Sequence, residues 1–187
     1  LQWTGKWVNY KPTEMMDLEI KIKQGKRPGL WLRNREIFKS RKILTRKVAA
    51  YIIASLDESG IYYEQTIHGS LINNDYKHYD LKYFVGILNS TLIKNYYKSI
   101  VQQEGKLFPQ VRISVLKSLP IYPIEFEDKF CFNIYKQIVD IVDKILTAKK
   151  ANPQADTTAL EAEIDRLVYE LYDLTEEEIQ IVEESVK

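Results

Sequence analysis

DLKYFVGILNSTLIKNYYKSI, residues 80–100, is where the chain changes its period. Asp80 and Ser90 are both good N-caps, and each is followed by a run of helix-compatible residues, so the stretch predicts two short helices in succession. Before it, up to about residue 75, the apolar runs are short, β-branched or aromatic: KILTRK (42–47), AAYIIASL (49–56) and IYYEQTIHGSLI (61–72). These read as strands, and the turn residues DESG (57–60) between the last two predict a hairpin.

Beyond residue 100 lies EGKLFPQVRISVLKSLPIYPI (104–124), where Pro109, Pro120 and Pro123 forbid a continuous helix and Val111 with Ile113 predict one further strand. Helical patterning then returns. Ile134, Ile138, Ile141, Val142 and Ile145 follow the spacing i, i+4, i+7, i+8, i+11, and Leu160, Ile164, Leu167, Val168 and Leu171 repeat it. The short linker ANPQADT (151–157) favours an antiparallel pair of long helices. Thr175 with Glu178 forms a capping box for a third helix, with Leu174 and Ile179 placed for a hydrophobic staple. The fold expected is α+β: a mixed domain over residues 1–122, then a helical segment over 123–187.

The 187 residues are enough for a full core, and the 45% hydrophobic and 28% charged fractions are ordinary for a globular chain. There is no apolar run of membrane-spanning length and no signal-peptide pattern, so a soluble, cytoplasmic protein without a membrane partner is expected. The single cysteine, Cys131, excludes an internal disulfide. The first residue is Leu and not Met, which fits a piece of a longer protein.

The net charge of +1 conceals a strong asymmetry. Residues 1–118 carry 20 Lys or Arg against 10 Asp or Glu, whereas residues 119–187 carry 7 against 16. Within 21–47 there are eleven basic residues and only Glu36 on the acidic side. A concentrated positive field attracts a polyanion, although a solvated charged face is the simpler alternative.

Motifs for covalent chemistry are absent, and no catalytic residue is assigned. His68 and His78 stand ten residues apart without cysteine or carboxylate spacing around them, so no metal site is assigned either. Cys131, between Phe130 and Phe132, reads as a packed residue. No glycine cluster forms a phosphate-cradling loop. Glu19-Ile20-Lys21 lacks the preceding acidic element of a metal-dependent nuclease, and Asn152-Pro153 lacks the aromatic of a base-gripping tetrapeptide.

If the basic part meets nucleic acid, two classes of contact are needed: cations on phosphates for affinity, and planar side chains on base edges for choice. Lys26, Arg27, Arg33, Arg35, Lys42, Arg46 and Lys47 from the basic cluster, with Lys106, are the candidate phosphate contacts. Gln65, His68, Gln110 and Arg112 are the candidate base readers, since Gln matches adenine and Arg matches guanine in the major groove. The 13 tyrosines read first as core and rim packing, with base stacking as the alternative. On the residues alone, a single-strand or RNA binder and a protein-interaction module using the acidic helices stay open.

KILTRK, IIASLDESGIYYEQTIH, DLKYFVGILNSTLIKNYYK, GKLFPQVRISVLKSLPI and EIDRLVYELYDLTEEEIQIVE, taken in order from about residue 30 to 183, resemble the TaqI-like C-terminal specificity domain. The resemblance implies target recognition on double-stranded DNA for an adenine-specific DNA methyltransferase or a fused type II restriction–modification enzyme. It also implies a covalently linked methyltransferase domain on the N-terminal side. That domain would use S-adenosylmethionine, with Mg2+ if a nuclease is fused as well, and no cofactor is expected in the present chain.

Overall fold

The computed structural model describes residues 35–101 and 110–185. In chain order they form α1 (Arg35–Lys39), β1 (Lys42–Arg46), β2 (Ala54–Asp57), β3 (Ile67–Ser70), α2 (Leu81–Asn89), α3 (Thr91–Ile100), α4 (Ile113–Lys117), α5 (Lys129–Ala151), α6 (Thr158–Leu171) and α7 (Glu176–Glu184), with a 3-10 turn at Asn74–Tyr76. The class is α+β: a small antiparallel sheet backed by helices, followed by a long helix pair. None of the described helices is long and apolar enough to cross a membrane.

β1 is the central strand. Lys42 to Thr45 pair with Asp57 to Ala54 on one side, and Ile43 to Arg46 pair with Ser70 to Ile67 on the other. The expected hairpin between the second and third strands therefore does not form, because β1 lies between them. The reason is local chemistry at Asp57, whose carboxylate accepts the Ser59 N–H (3.0 Å), the Ser59 hydroxyl (2.8 Å) and the Ile61 N–H (2.9 Å). That loop, with Gly60 at a φ of 77°, turns the chain away from β2. Residues 61–66 stay outside the sheet, so Tyr63 and Gln65 do not share a strand face.

Asp57 also takes the ammonium of Lys42, and both side chains are almost wholly removed from solvent. The same ammonium donates to the carbonyls of Phe38 and Ser40, closing the C-terminal end of α1 onto the sheet. Burial by itself would raise the Asp57 carboxyl, but the Lys42, Ser59 and Ile61 donors outweigh it and hold it below the ordinary carboxylate range. Tyr63 lies across β3 above Gly69, where a Cβ would fall 1.9 Å from its hydroxyl oxygen. Phe38 stacks on Tyr62 at 4.7 Å and tilts against Tyr63 at 5.2 Å.

The other face of the sheet meets α2, which begins at Asp80 and ends at Ser90 as the caps predict: Asp80 accepts from Lys82 N–H, and Ser90 opens α3 by accepting from Ile93 N–H. Leu81, Tyr83, Val85, Gly86 and Ile87 of α2 are all buried. Asn89 does the work of a missing strand at the edge of β2, its side chain accepting from Ala54 N–H (2.9 Å) and donating to Ala54 C=O (2.8 Å). On its far side α2 packs on α5 through Gly86, where an added Cβ would come within 2.6 Å of Ile138 Cγ2 and 3.2 Å of Val142 Cγ2.

The helix stripes are core. Ile134, Ile138, Ile141 and Val142 of α5 are buried, as are Ile164, Leu167, Val168 and Leu171 of α6, while Ile145 and Leu160 are half-buried. They belong to one hydrophobic cluster with Ile43, Ile52 and Val111, so packing is continuous across residue 122. Asp165 of α6 accepts from both Thr91 N–H (2.7 Å) and Thr91 Oγ1 (2.6 Å), tying α6 to the start of α3. Asp173, at a φ of 54°, ends α6, with Leu174 N–H returning to Tyr169 C=O at 3.0 Å. The capping box of Thr175 and Glu178 is present at α7. Most tyrosines with ring neighbours are packing residues: Tyr79, Tyr83 and Tyr135 surround one another with Phe84 and Phe126.

Two measurements test this packing. Asp57→Asn leaves the Lys42 ammonium buried without its counter-charge and should cost about 3–5 kcal/mol in urea unfolding at neutral pH. Because the Asp57 pKa is depressed by folding, the wild-type advantage is full above the unfolded value of about 3.9. It is lost as pH falls through the lower folded value, so the gap between wild type and variant should close in acid. Gly86→Ala should destabilise by about 1–3 kcal/mol, overriding the helix propensity gain of about 1 kcal/mol, because the methyl meets Ile138 and Val142. A stabilised variant would contradict the close α2–α5 contact.

Candidate nucleic-acid interface

The far end of β1 is where the predicted contact residues converge. Arg46 is the last residue of the strand and is exposed, and its N–H donates to Ile53 C=O at 3.0 Å, closing the β1–β2 loop. Lys47 follows, its N–H donating to Thr66 C=O at 2.9 Å. This bond sets exposed Gln65, in the turn just before β3, beside the same end of the sheet.

The third component is the segment 110–112. Val48 and Gln110 form an isolated antiparallel bridge, and Val111 N–H donates to Lys47 C=O at 2.7 Å. The further strand predicted through Val111 and Ile113 stops there. Val48 offers a single pairing position before its own loop turns away, and from Ile113 the backbone winds into α4, leaving Ile113 54% exposed. Val111 and Leu116 pack inward, but Ile113 does not anchor the segment; Leu107 and Phe108 lie outside the described residues.

Arg112 occupies the N-cap position of α4 in extended conformation, and its side chain makes no capping bond. Among the described residues its guanidinium has no carboxylate partner. It lies close enough to Tyr97 to be felt there: burial pushes the Tyr97 hydroxyl up, and the Arg112 charge pulls it down. Gln110 is exposed, and its carbonyl accepts the Tyr97 hydroxyl at 3.4 Å. His68 faces Val111, with Nε2 2.9 Å from the Val111 carbonyl.

The structure thus brings Arg46, Lys47, Gln65, His68, Gln110 and Arg112 together from three distant parts of the chain. It does not bring Lys42 with them. Lys42 is fully buried against Asp57, so its assignment as a phosphate contact is corrected: a cation removed from water must keep its counter-ion, and this one cannot reach a ligand. Two other members of the basic cluster are neutralised within the chain, Arg41 by Glu58 (2.7 Å) and Asp80 (3.0 Å), and Lys39 by Glu36 (3.5 Å). Lys26, Arg27, Arg33 and Lys106 lie outside the described residues, as does the side chain of Arg35.

One neighbour escaped the sequence reading. Tyr51, 40% exposed in the loop that begins at Lys47, has the Lys94 ammonium 5.6 Å from its ring centroid. The only signal was an aromatic beside the buried Ile52, and the partner comes from α3, too far along the chain to be paired by inspection. Elsewhere, an open cleft of about 550 Å³ lies among α5, α6 and α7, with Tyr122, Cys131, Tyr169, Leu174 and Ile179 on its walls. Cys131 is buried there, packed as its flanking phenylalanines suggested. No cluster of three metal-ligating side chains occurs among the described residues.

Arg46, Lys47, Gln65, Gln110 and Arg112 thus lie at one end of the sheet, and comparison with known proteins gives the family. The chain belongs to the TaqI-like C-terminal specificity domain family, whose sequence profile matches residues 1–121. The match takes in the N-terminal segment outside the motifs quoted above and stops before α5. None of the curated proteins compared with the chain matches it. It is therefore a DNA-binding, target-recognition domain of the restriction–modification kind, and a specificity domain is not itself catalytic.

The division between neutralised and available cations has a direct test. Arg46→Ala and Lys47→Ala should each weaken binding to every duplex alike and lower the slope of log affinity against log salt by about one, measured by fluorescence anisotropy. Arg41→Ala should leave that slope unchanged. A slope that falls with Arg41 and not with Arg46 or Lys47 would move the phosphate-binding surface elsewhere.

Proposed function

We propose that this chain reads a short sequence in double-stranded DNA on behalf of a covalently linked, N-terminal adenine-specific DNA methyltransferase, which modifies adenine within that sequence; a nuclease fused to the same enzyme would cut nearby. The S-adenosylmethionine, and Mg2+ for cleavage, would be held by those linked domains, with no residue of this chain assigned to them. Residues 1–122 form the reading domain, and 123–187 brace it.

The observation that carries this reading is the allocation of charge. Lys39, Arg41 and Lys42 have carboxylate partners, whereas Arg46, Lys47 and Arg112, gathered at one end of the sheet, have none among the described residues. Arg46 and Lys47, with Lys26, Arg27, Arg33, Arg35 and Lys106, supply phosphate contacts. Gln65, Gln110 and Arg112 read base edges, Arg112 matching guanine and the two glutamines matching adenine. A single-strand reader would need a row of free aromatic faces along the site; there Tyr51 is exposed and already carries the Lys94 ammonium, while Tyr79, Tyr83 and Tyr135 are engaged in packing.

Selection from a duplex pool with a randomised core should enrich one short motif on the 187-residue chain, with single-stranded DNA a poor competitor. Arg112→Ala should then cost about 1–3 kcal/mol on the enriched duplex and little on a scrambled one. Equal competition by single strands, or no enrichment, would overturn the reading.

A further inference from the structure

Residues 110 and 111 are held from three directions. The Val111 N–H donates to Lys47 C=O (2.7 Å), the Gln110 carbonyl accepts the Tyr97 hydroxyl (3.4 Å), and the Val111 carbonyl lies 2.9 Å from His68 Nε2. A carbonyl can only accept, so Nε2 carries the hydrogen and donates it. The Val111 side chain is fully buried, while Gln110 and Arg112 on either side of it are exposed. In extended backbone, alternate side chains face opposite ways, so a valine fixed inward turns its two neighbours outward. His68 sits on β3 opposite Thr45, which in turn faces Ala54 of the core cluster across β1, and is thus on the side of the sheet turned toward the helices.

We propose that His68 is a positioning residue for sequence choice: through its Nε2–H bond to the Val111 carbonyl it fixes the peptide between Val111 and Arg112, and so aims the Arg112 guanidinium and the Gln110 side chain at the bases, without touching DNA itself. This rests on the duplex-reading function above. A reading side chain has to be held within about 0.5 Å of its productive position, and the Val111 carbonyl is the last backbone acceptor before Arg112. Among the described residues its bonded side-chain partner is His68, so losing that donor frees the peptide to rotate and swings the long arginine with it. Tyr97 holds the Gln110 carbonyl in the same way through a longer bond.

The test is the ratio of affinities for the duplex that the wild-type chain enriches and for a scrambled duplex. A glutamine amide nitrogen can take the place of Nε2, whereas an asparagine amide stops one bond short. His68→Asn and His68→Leu should therefore lower the ratio about tenfold, equivalent to one lost buried hydrogen bond, and His68→Gln should restore most of it. In an Arg112→Ala background, His68→Asn should add little, because the side chain it aims is gone. Tyr97→Phe, a milder change, should lower the ratio in the same direction by a smaller factor. Direct base contact by His68 would give a different pattern, with Gln as damaging as Leu and with losses additive to Arg112→Ala; that result overturns the proposal. Enrichment by the wild type with an unchanged ratio in His68→Asn also sinks this role alone, whereas no enrichment by the wild type removes the duplex-reading function and this role with it.

Discussion

Asn89 holds both backbone groups of Ala54, and this contact ties the outer strand of the sheet to the helices behind it. β2 is an edge strand, and an edge of only four residues would present unpaired donors and acceptors to any passing chain. The amide of Asn89 supplies one donor and one acceptor as a neighbouring strand would, so the Ala54 end of the edge is closed by the last residue of a helix. Because α2 is also pressed onto α5 at Gly86, the sheet is fixed relative to the long helices as well as to α3. The small sheet has its orientation set by the helices behind it. Its far end, where Arg46 and Lys47 emerge, can then serve as a rigid platform.

Charge is distributed in keeping with that division. The cations nearest the α1–β1 junction stabilise the fold: Lys42 joins β1, β2 and α1 through Asp57, and Arg41 joins the Asp57 loop to the cap of α2 through Glu58 and Asp80. Arg46, exposed at the end of β1, and half-exposed Lys47 after it have no carboxylate partner among the described residues. On the proposed reading, a polyanion is met by the second group. The same strand therefore supplies stability at one end, and on the proposed reading it supplies affinity at the other, with the segment 110–112 adding the side chains that choose among sequences.

Much of this was readable in the sequence wherever the signal was local. The caps at Asp80, Ser90 and Thr175 and the stripes on α5 and α6 depend on spacings of three to eight residues, and the structure has them as the pattern indicates. What failed was non-local. The turn residues DESG favour a hairpin locally, but Asp57 bonds Lys42, 15 positions away, and its own loop instead. Eleven basic residues look alike in a string, and only burial separates Lys42 from Arg46. His68 reads in the sequence as a candidate base reader, but its bonded partner is a backbone carbonyl 43 positions on, which no side-chain pattern encodes. The strand predicted through Val111 and Ile113 shrinks to one bridge, one buried valine and one turn of helix, because its pairing partner Val48 offers only one position.

Hydrogen–deuterium exchange of the 187-residue chain, with and without its enriched duplex, tests the central claim that the sheet end and the segment beside it form the DNA-reading face. The account predicts slowed exchange in peptides covering 46–53, 64–70 and 110–117, which hold the Lys47, Ile67 and Val111 amides. It predicts no change in those covering 158–185. Protection confined to α6 and α7, with the sheet end unaffected, would contradict it.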